Sequence, residues 1–216
     1  MSERVKIILD KNADILRLPA IALRGLVVFP GNIIHFEVGR KKSIAAIEWA
    51  MSNNNAVFLT AQQDMDVEDP GFKDLYAYGV VAEVKQVLRV SDELVKVLVE
   101  GKYRAKLLTL DSSGRFLLAS TKAAALRGTK SVDSARVEAL VRSVKEAFEE
   151  YLSLNPRLSK DVVYTIITNE DAALLCDYIP ANLLLKYTDK QALLNEGTVS
   201  GSLEKLLENL RRETKI

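Results

Sequence analysis

The spacing of apolar side chains changes once along this chain, near residues 120–132, and that change restricts what it can fold into. From Leu18 to about Lys122 the pattern is mostly that of strands. In "NIIHFEVG" (32–39), Ile34, Phe36 and Val38 alternate with Ile33, His35 and Glu37, which places an apolar face opposite a polar one. "AVFLTAQ" (56–62) is short and β-compatible, and "YGVVAEVKQVLRV" (78–90) and "ELVKVLVEG" (93–101) flank a Ser91-Asp92 turn as hairpin arms would. "AKLLTLD" and "RFLLAS" flank "SSG" (112–114), a second hairpin signal. Within "KKSIAAIEWAMSNN", Ile44, Ile47 and Met51 recur at helical spacing, with Ser43 placed to cap the helix start.

Beyond "TKAAALRGTKS" the period becomes 3.6. Val137, Leu140, Val141, Val144, Phe148, Tyr151 and Leu152 form one helical stripe, closed by Asn155-Pro156. Shorter helices are expected at 161–168, 171–179 and 190–195, the last with Thr188 or Asp189 as its cap, and Leu203, Leu206, Leu207 and Leu210 stripe a final helix. Strands followed by helices predict an α+β chain. Residues 1–122 are expected to form an antiparallel β-sheet or partly closed barrel carrying one helix, and residues 123–216 a helical-bundle lobe.

With 216 residues, of which 48% are hydrophobic, the chain can bury a substantial core. Thirty basic side chains against 29 acidic ones leave a net charge of +1, which disfavours a polyanionic partner such as nucleic acid. No apolar run approaches the roughly 18 residues that span a bilayer. The apolar run of Ile7, Ile8 and Leu9 stops at Asp10, short of a signal-peptide core. Cys176 is the only cysteine, which excludes an intrachain disulfide and fits a cytoplasmic location.

The motifs of catalysis and cofactor binding are absent. "GTKS" (128–131) lacks the earlier glycine of a phosphate-binding loop. "DMDVEDPG" (64–71) has carboxylates at the first, third and fifth positions of a calcium loop, but Asp69 stands where the sharp turn needs Gly and Leu75 where a bidentate Glu belongs. The sole histidine, His35, has no spaced Cys or carboxylate partners for a zinc site and no identifiable nucleophile to serve as base. Cys176, within the apolar run "AALLCDYI", reads as packing. No cofactor, metal or catalytic residue is expected.

"LPAIALRGLVVFPG" (18–31), followed by "HFEVGRKKSIAAIEWAM", resembles the opening of the N-terminal domain of bacterial Lon proteases. "DPGFKDLYAYGVVAEVKQVLRV", "VKVLVEGKYRA" and "LLLKYTDKQALL" resemble its later blocks in the same order, from Leu18 to about Leu210. The sequence departs from that pattern at Pro180, Asn182, Leu184, Gly201 and Ser202. The resemblance implies a β lobe followed by a helical lobe, with no catalytic site of its own. It also implies recognition of unfolded, damaged or tagged protein substrates and contacts with the other domains and subunits of a hexamer, whose ATPase and protease domains lie elsewhere. A stand-alone adaptor of the same fold and an RNA-binding β-barrel are the alternatives.

Two surfaces are candidates for binding. Trp49 points away from the face set by Ile44, Ile47 and Met51, and with Arg40, Lys41 and Lys42 it would form a mixed aromatic and basic surface; alternatively another part of the chain covers it. Leu26, Val28, Phe29 and Pro30 belong to an apolar run that either leaves sticky surface exposed or is buried on both sides.

Overall fold

Both layers of packing in the N-terminal part of the structure share its first strand, β1 (Leu16–Leu23). Successive strand residues point to opposite faces. Leu18, Ala20 and Ala22 therefore join a cluster with Phe58, Val81, Tyr103 and Ala119, while Ile21 and Leu23 join another with Val28, Ile47, Val57 and Val99. The structure is a computed structural model that describes residues 15–128 and 134–215. It forms two compact units that divide between Ala125 and Leu126. The run at residues 7–9 and most of "GTKS" lie outside the described residues.

After β1 come β2 (Ile33–Val38), α1 (Lys41–Ser52), β3 (Ala56–Ala61), β4 (Tyr78–Arg89), β5 (Val95–Asp111) and β6 (Leu117–Ala123). The strand order is β2-β5-β4-β3-β1-β6, and β6 also pairs with β5. Residues 95–100 of β5 take β2 as a neighbour and residues 105–111 take β6. The sheet thus curls back on itself but leaves β2 as an end strand, so it is not a clean barrel. With the helices that follow, this is the α+β fold expected.

Three local expectations need correction. One pair, β1 with β3, is parallel, because β2 and α1 form a crossover that returns the chain to the same end of the sheet. "ELVKVLVEG" and "AKLLTLD" are parts of the single strand β5, which runs through Gly101. The apolar run of residues 18–31, within the region whose pattern is mostly that of strands, is also not strand throughout. The strand ends at Leu23, and the chain turns at Gly25 with φ +66°, a conformation that costs glycine little, and crosses back as a loop.

That loop explains the glycine inside β5. A Cβ on Gly101 would lie 2.2 Å from the carbonyl oxygen of Phe29. The Gly31 N–H donates to the Gly101 carbonyl at 2.8 Å, and the Gly101 N–H donates to the Asn32 carbonyl at 2.9 Å. The close approach holds the loop down and places Phe29 fully inside, at 0% exposure.

The second unit holds α2 (Ser134–Leu154), α3 (Lys160–Thr168), α4 (Ala172–Asn182), α5 (Tyr187–Asn195) and α6 (Val199–Glu213). Val141, Val144, Phe148 and Tyr151 of α2 are buried, as are Leu203, Leu206 and Leu210 of α6, which packs on α2. Ser159, Asp171 and Thr198 cap α3, α4 and α6 by accepting backbone N–H groups. Neither Thr188 nor Asp189 caps α5; the helix starts earlier, after Lys186, and Asp189 instead accepts from Arg212 of α6 at 2.8 Å. Pro180 lies within α4, close enough to its end that the helix closes at Asn182. Cys176 is buried, its thiol 3.7 Å from the Val199 carbonyl.

Gly101→Ala is expected to cost about 3 kcal/mol, because a backbone carbonyl rather than a flexible side chain must move; urea unfolding measures it. On β4 and β5, Lys85 and Lys102 each lie within 3.2 Å of both Glu83 and Glu100. Hydrogen bonds from Lys102 and then Lys85 hold the Glu100 carboxyl below its ordinary 4.5. Folding therefore favours the ionised form, and its contribution is present above about pH 4.5 and lost as pH falls through the lower folded value. Glu100→Gln should flatten the decline of stability below pH 4.5 by about 0.5 kcal/mol, a small effect because the quartet is partly exposed to solvent.

Candidate functional site

The end of β1, the turn that follows it and the end of β2 enclose a cleft of about 440 Å³. Ile21, Leu23, Leu26, Phe36 and Val38 make its apolar wall, and Arg24, Glu37, Arg40 and Ser43 supply its polar groups. Strand alternation accounts for Phe36 and Val38 turning toward the core while Glu37 stays exposed.

Arg40, the residue before α1, is held in place by an inner polar knot. Its Nη2 donates to Gln62 Oε1 and, at 3.3 Å, to the Val67 carbonyl; Nη1 donates to the Ala22 carbonyl at 3.5 Å. Gln62 is fully buried at the end of β3, and its Nε2 donates to the carbonyls of Asp64 and Val67 at 3.0 and 2.9 Å. The acidic loop is thus suspended from Gln62 and Arg40. Within it Asp64 accepts from the Asp66 N–H, and Asp69 pairs with Lys42 at 3.1 Å. Burial, and next the charge of Arg24, lowers the pKa of Arg40; Asp69 opposes the shift.

The candidate residues do not converge on one place. Leu26 and Arg40 line the cleft. Val28 and Phe29 are buried and Pro30 is half-buried, so the apolar run is mostly core rather than exposed surface. Lys42 is engaged with Asp69, and Lys41 is exposed. Trp49 is 39% exposed and packs on Phe116, ring centroids 5.8 Å apart, on the turn between β5 and β6. Ser43 is not a cap: it sits in the first turn of α1, buried, and the helix start has no side-chain cap. Met51 is exposed, because the buried face of α1 is set by Ser43, Ile44, Ala46, Ile47 and Ala50. Arg24 and Gln62 escaped the sequence reading, although a buried amide closing the apolar run 56–61 is a recognisable signal of a structural polar contact.

The profile of the ATP-dependent protease La (LON) substrate-binding domain matches residues 17–212, through both units and across the cleft. This chain belongs to the Lon substrate-binding domain family. It is similar to the Lon protease of Desulforamulus reducens, with 37% identity over 205 residues, 95% of this chain and 25% of that protein. The Lon proteases of Heliobacterium modesticaldum and Escherichia coli K12 are each 36% identical, over 100% and 94% of this chain and 26% of theirs. The chain thus spans about a quarter of the length of the curated relatives it matches. The fold is similar to that of the N-terminal domain of Mycobacterium avium complex Lon protease, with a TM-score of 0.73 at 20% identity, covering 91% of this chain and 98% of that one. The Lon N-terminal domain protein from Xanthomonas campestris is similar at TM-score 0.62 and 14% identity, covering 89% and 98%. What the Lon family profile describes is a substrate-binding domain.

Gln62→Leu would leave the half-buried Arg40 guanidinium and the 63–71 loop without their shared partner. It is expected to cost about 2–3 kcal/mol and to speed amide exchange at residues 63–71, leaving exchange in α2 and α6 unchanged.

Proposed function

We propose that this chain is the non-catalytic recognition part of a Lon-type ATP-dependent protease: it binds unfolded or damaged protein and supports assembly of the hexamer, in the cytoplasm. The observation that carries this reading is the unbroken match of both units to a substrate-binding domain.

Its exposed apolar residues suit that role. Ile33, Leu88 and Val90 are exposed on the first unit, and Leu154, Tyr164 and Ile167 on the second. Small scattered contacts of this kind hold an unfolded chain weakly and without regard to its sequence; several copies on one assembly would then gain by multivalency. Trp49, with Phe116 at its side, is an aromatic anchor of the same kind. The RNA-binding alternative has less support, since Lys85, Lys102 and Arg89 on the sheet pair with Glu83, Glu100 and Glu48 instead of offering free charge. No helix among the described residues is long and apolar enough to cross a membrane.

The test is a titration of the chain with a chemically unfolded protein, its folded counterpart and a single-stranded RNA, following Trp49 emission and the anisotropy of labelled ligand. Binding is expected for the unfolded protein alone, with a Trp49 change, and Trp49→Ala should weaken it about threefold or more. RNA binding that falls steeply with salt would replace this reading with the nucleic-acid one.

A further inference from the structure

The cleft beside β1 carries two guanidiniums that no carboxylate among the described residues contacts directly, Asp69 acting on Arg40 only through its charge. Elsewhere on the sheet unit the basic side chains close to carboxylates form ion pairs: Lys42 with Asp69, Arg89 with Glu48, and Lys85 and Lys102 with their glutamates. Arg24 and Arg40 form no ion pair among the described residues. Both reach the same neutral acceptor, the Val67 carbonyl, at 3.5 and 3.3 Å, so the two guanidiniums meet at one oxygen. Arg40 also donates to Gln62 and, at 3.5 Å, to the Ala22 carbonyl, so these bonds engage three of the five N–H donors of its guanidinium. Two like charges at one point, with an apolar wall beside them, are a recognition element for an anion attached to something hydrophobic.

We infer that this cleft binds a polypeptide segment in which an apolar side chain stands next to a carboxylate, the side chain against the partly buried Leu26 and Phe36 and the carboxylate on the Arg24 and Arg40 guanidiniums. The inference rests on the proposed role in binding protein substrates and names the chemistry selected at one place. Planar guanidinium forks suit a carboxylate, and a charge-assisted pair beside low-dielectric side chains is stronger than one in open water. Glu37, on the exposed side of β2 at the same cleft, makes the site unfavourable to segments with several negative charges and selects for one. The carboxylate has two sources, an Asp or Glu side chain or the end of a polypeptide chain.

Four peptides labelled at the N-terminus with a neutral or zwitterionic dye separate them: one ending in Leu-Leu with a free carboxylate, the same peptide amidated, and two amidated peptides with an internal Leu-Glu or Leu-Gln. Anisotropy titrations use the full 216-residue chain at about 0.15 M salt. At least one carboxylate peptide should bind about tenfold more tightly than its neutral counterpart. A preference confined to the first pair assigns chain ends, one confined to the second assigns acidic side chains, and both assign any carboxylate. Arg24→Gln should reduce the preference below about twofold and Arg24→Glu should reverse it. Arg24 is the variant of choice because it is exposed and holds no other side chain, whereas Arg40 supports the 63–71 loop. Equal binding of charged and neutral peptides, or a preference unchanged by Arg24→Glu, overturns the inference. A parallel titration with chemically unfolded protein separates the two levels: if it binds while the carboxylate makes no difference, only this inference fails, and if it does not bind, the recognition role itself fails.

Discussion

The contact between the Phe29 carbonyl and Gly101 is the point on which the N-terminal unit depends. A strand that ended at Leu23 and ran on into solvent would leave Val27, Val28 and Phe29 exposed and β5 free to bend elsewhere. The missing side chain at Gly101 lets two backbones meet, and hydrogen bonds from Gly31 and to Asn32 close the contact on both sides. Three consequences follow from it. The apolar run becomes core, β2 starts in register against β5, and the turn at Gly25 swings Arg24 to the mouth of the cleft. Burying backbone at such a place is tolerable only because its polar groups are paired.

Much of this architecture was legible in the chain because periodicity is a property of single elements. The alternation in 32–39 and the stripe from Val137 to Leu152 correspond to real faces, since each reflects one buried side. What escaped was set by contacts between elements. A parallel and an antiparallel β1 have the same residue pattern, and only the crossover through α1 distinguishes them. An apolar run of loop residues reads like a strand until the glycine that receives it is located far away in sequence. Met51 fails for a related reason: apolar type marks a residue that can be buried, and the small Ala46 and Ala50 bring α1 close enough to the sheet that the buried face is centred on them.

The candidate site was less legible than the fold. Arg40 was singled out as a surface charge beside Lys41 and Lys42, yet it behaves unlike either. Its guanidinium is drawn inward by Gln62, a residue that no motif contains, while Lys42 turns to Asp69 and Lys41 stays in solvent. Counting charges predicts fields, whereas the usefulness of a charge is decided by what already neutralises it. The near-zero net charge of the chain therefore conceals differences among its basic residues, between those that pair with carboxylates on the open sheet and the two guanidiniums at the cleft that form no ion pair among the described residues.

That distinction bears on how a recognition domain stays selective without binding tightly. Apolar patches alone would hold any exposed hydrophobic segment, including those of folded neighbours that open briefly. A pair of guanidiniums with no ion-pair partner among the described residues, at the end of an apolar wall, adds a second condition, and a ligand lacking the carboxylate leaves those groups desolvated without return. The cost of the wrong ligand then does as much as the attraction of the right one. Such a condition need contribute only a factor of ten at each copy. Where several copies act on one chain, a small difference at each site multiplies into a large one for the whole, while each single contact remains weak enough to release.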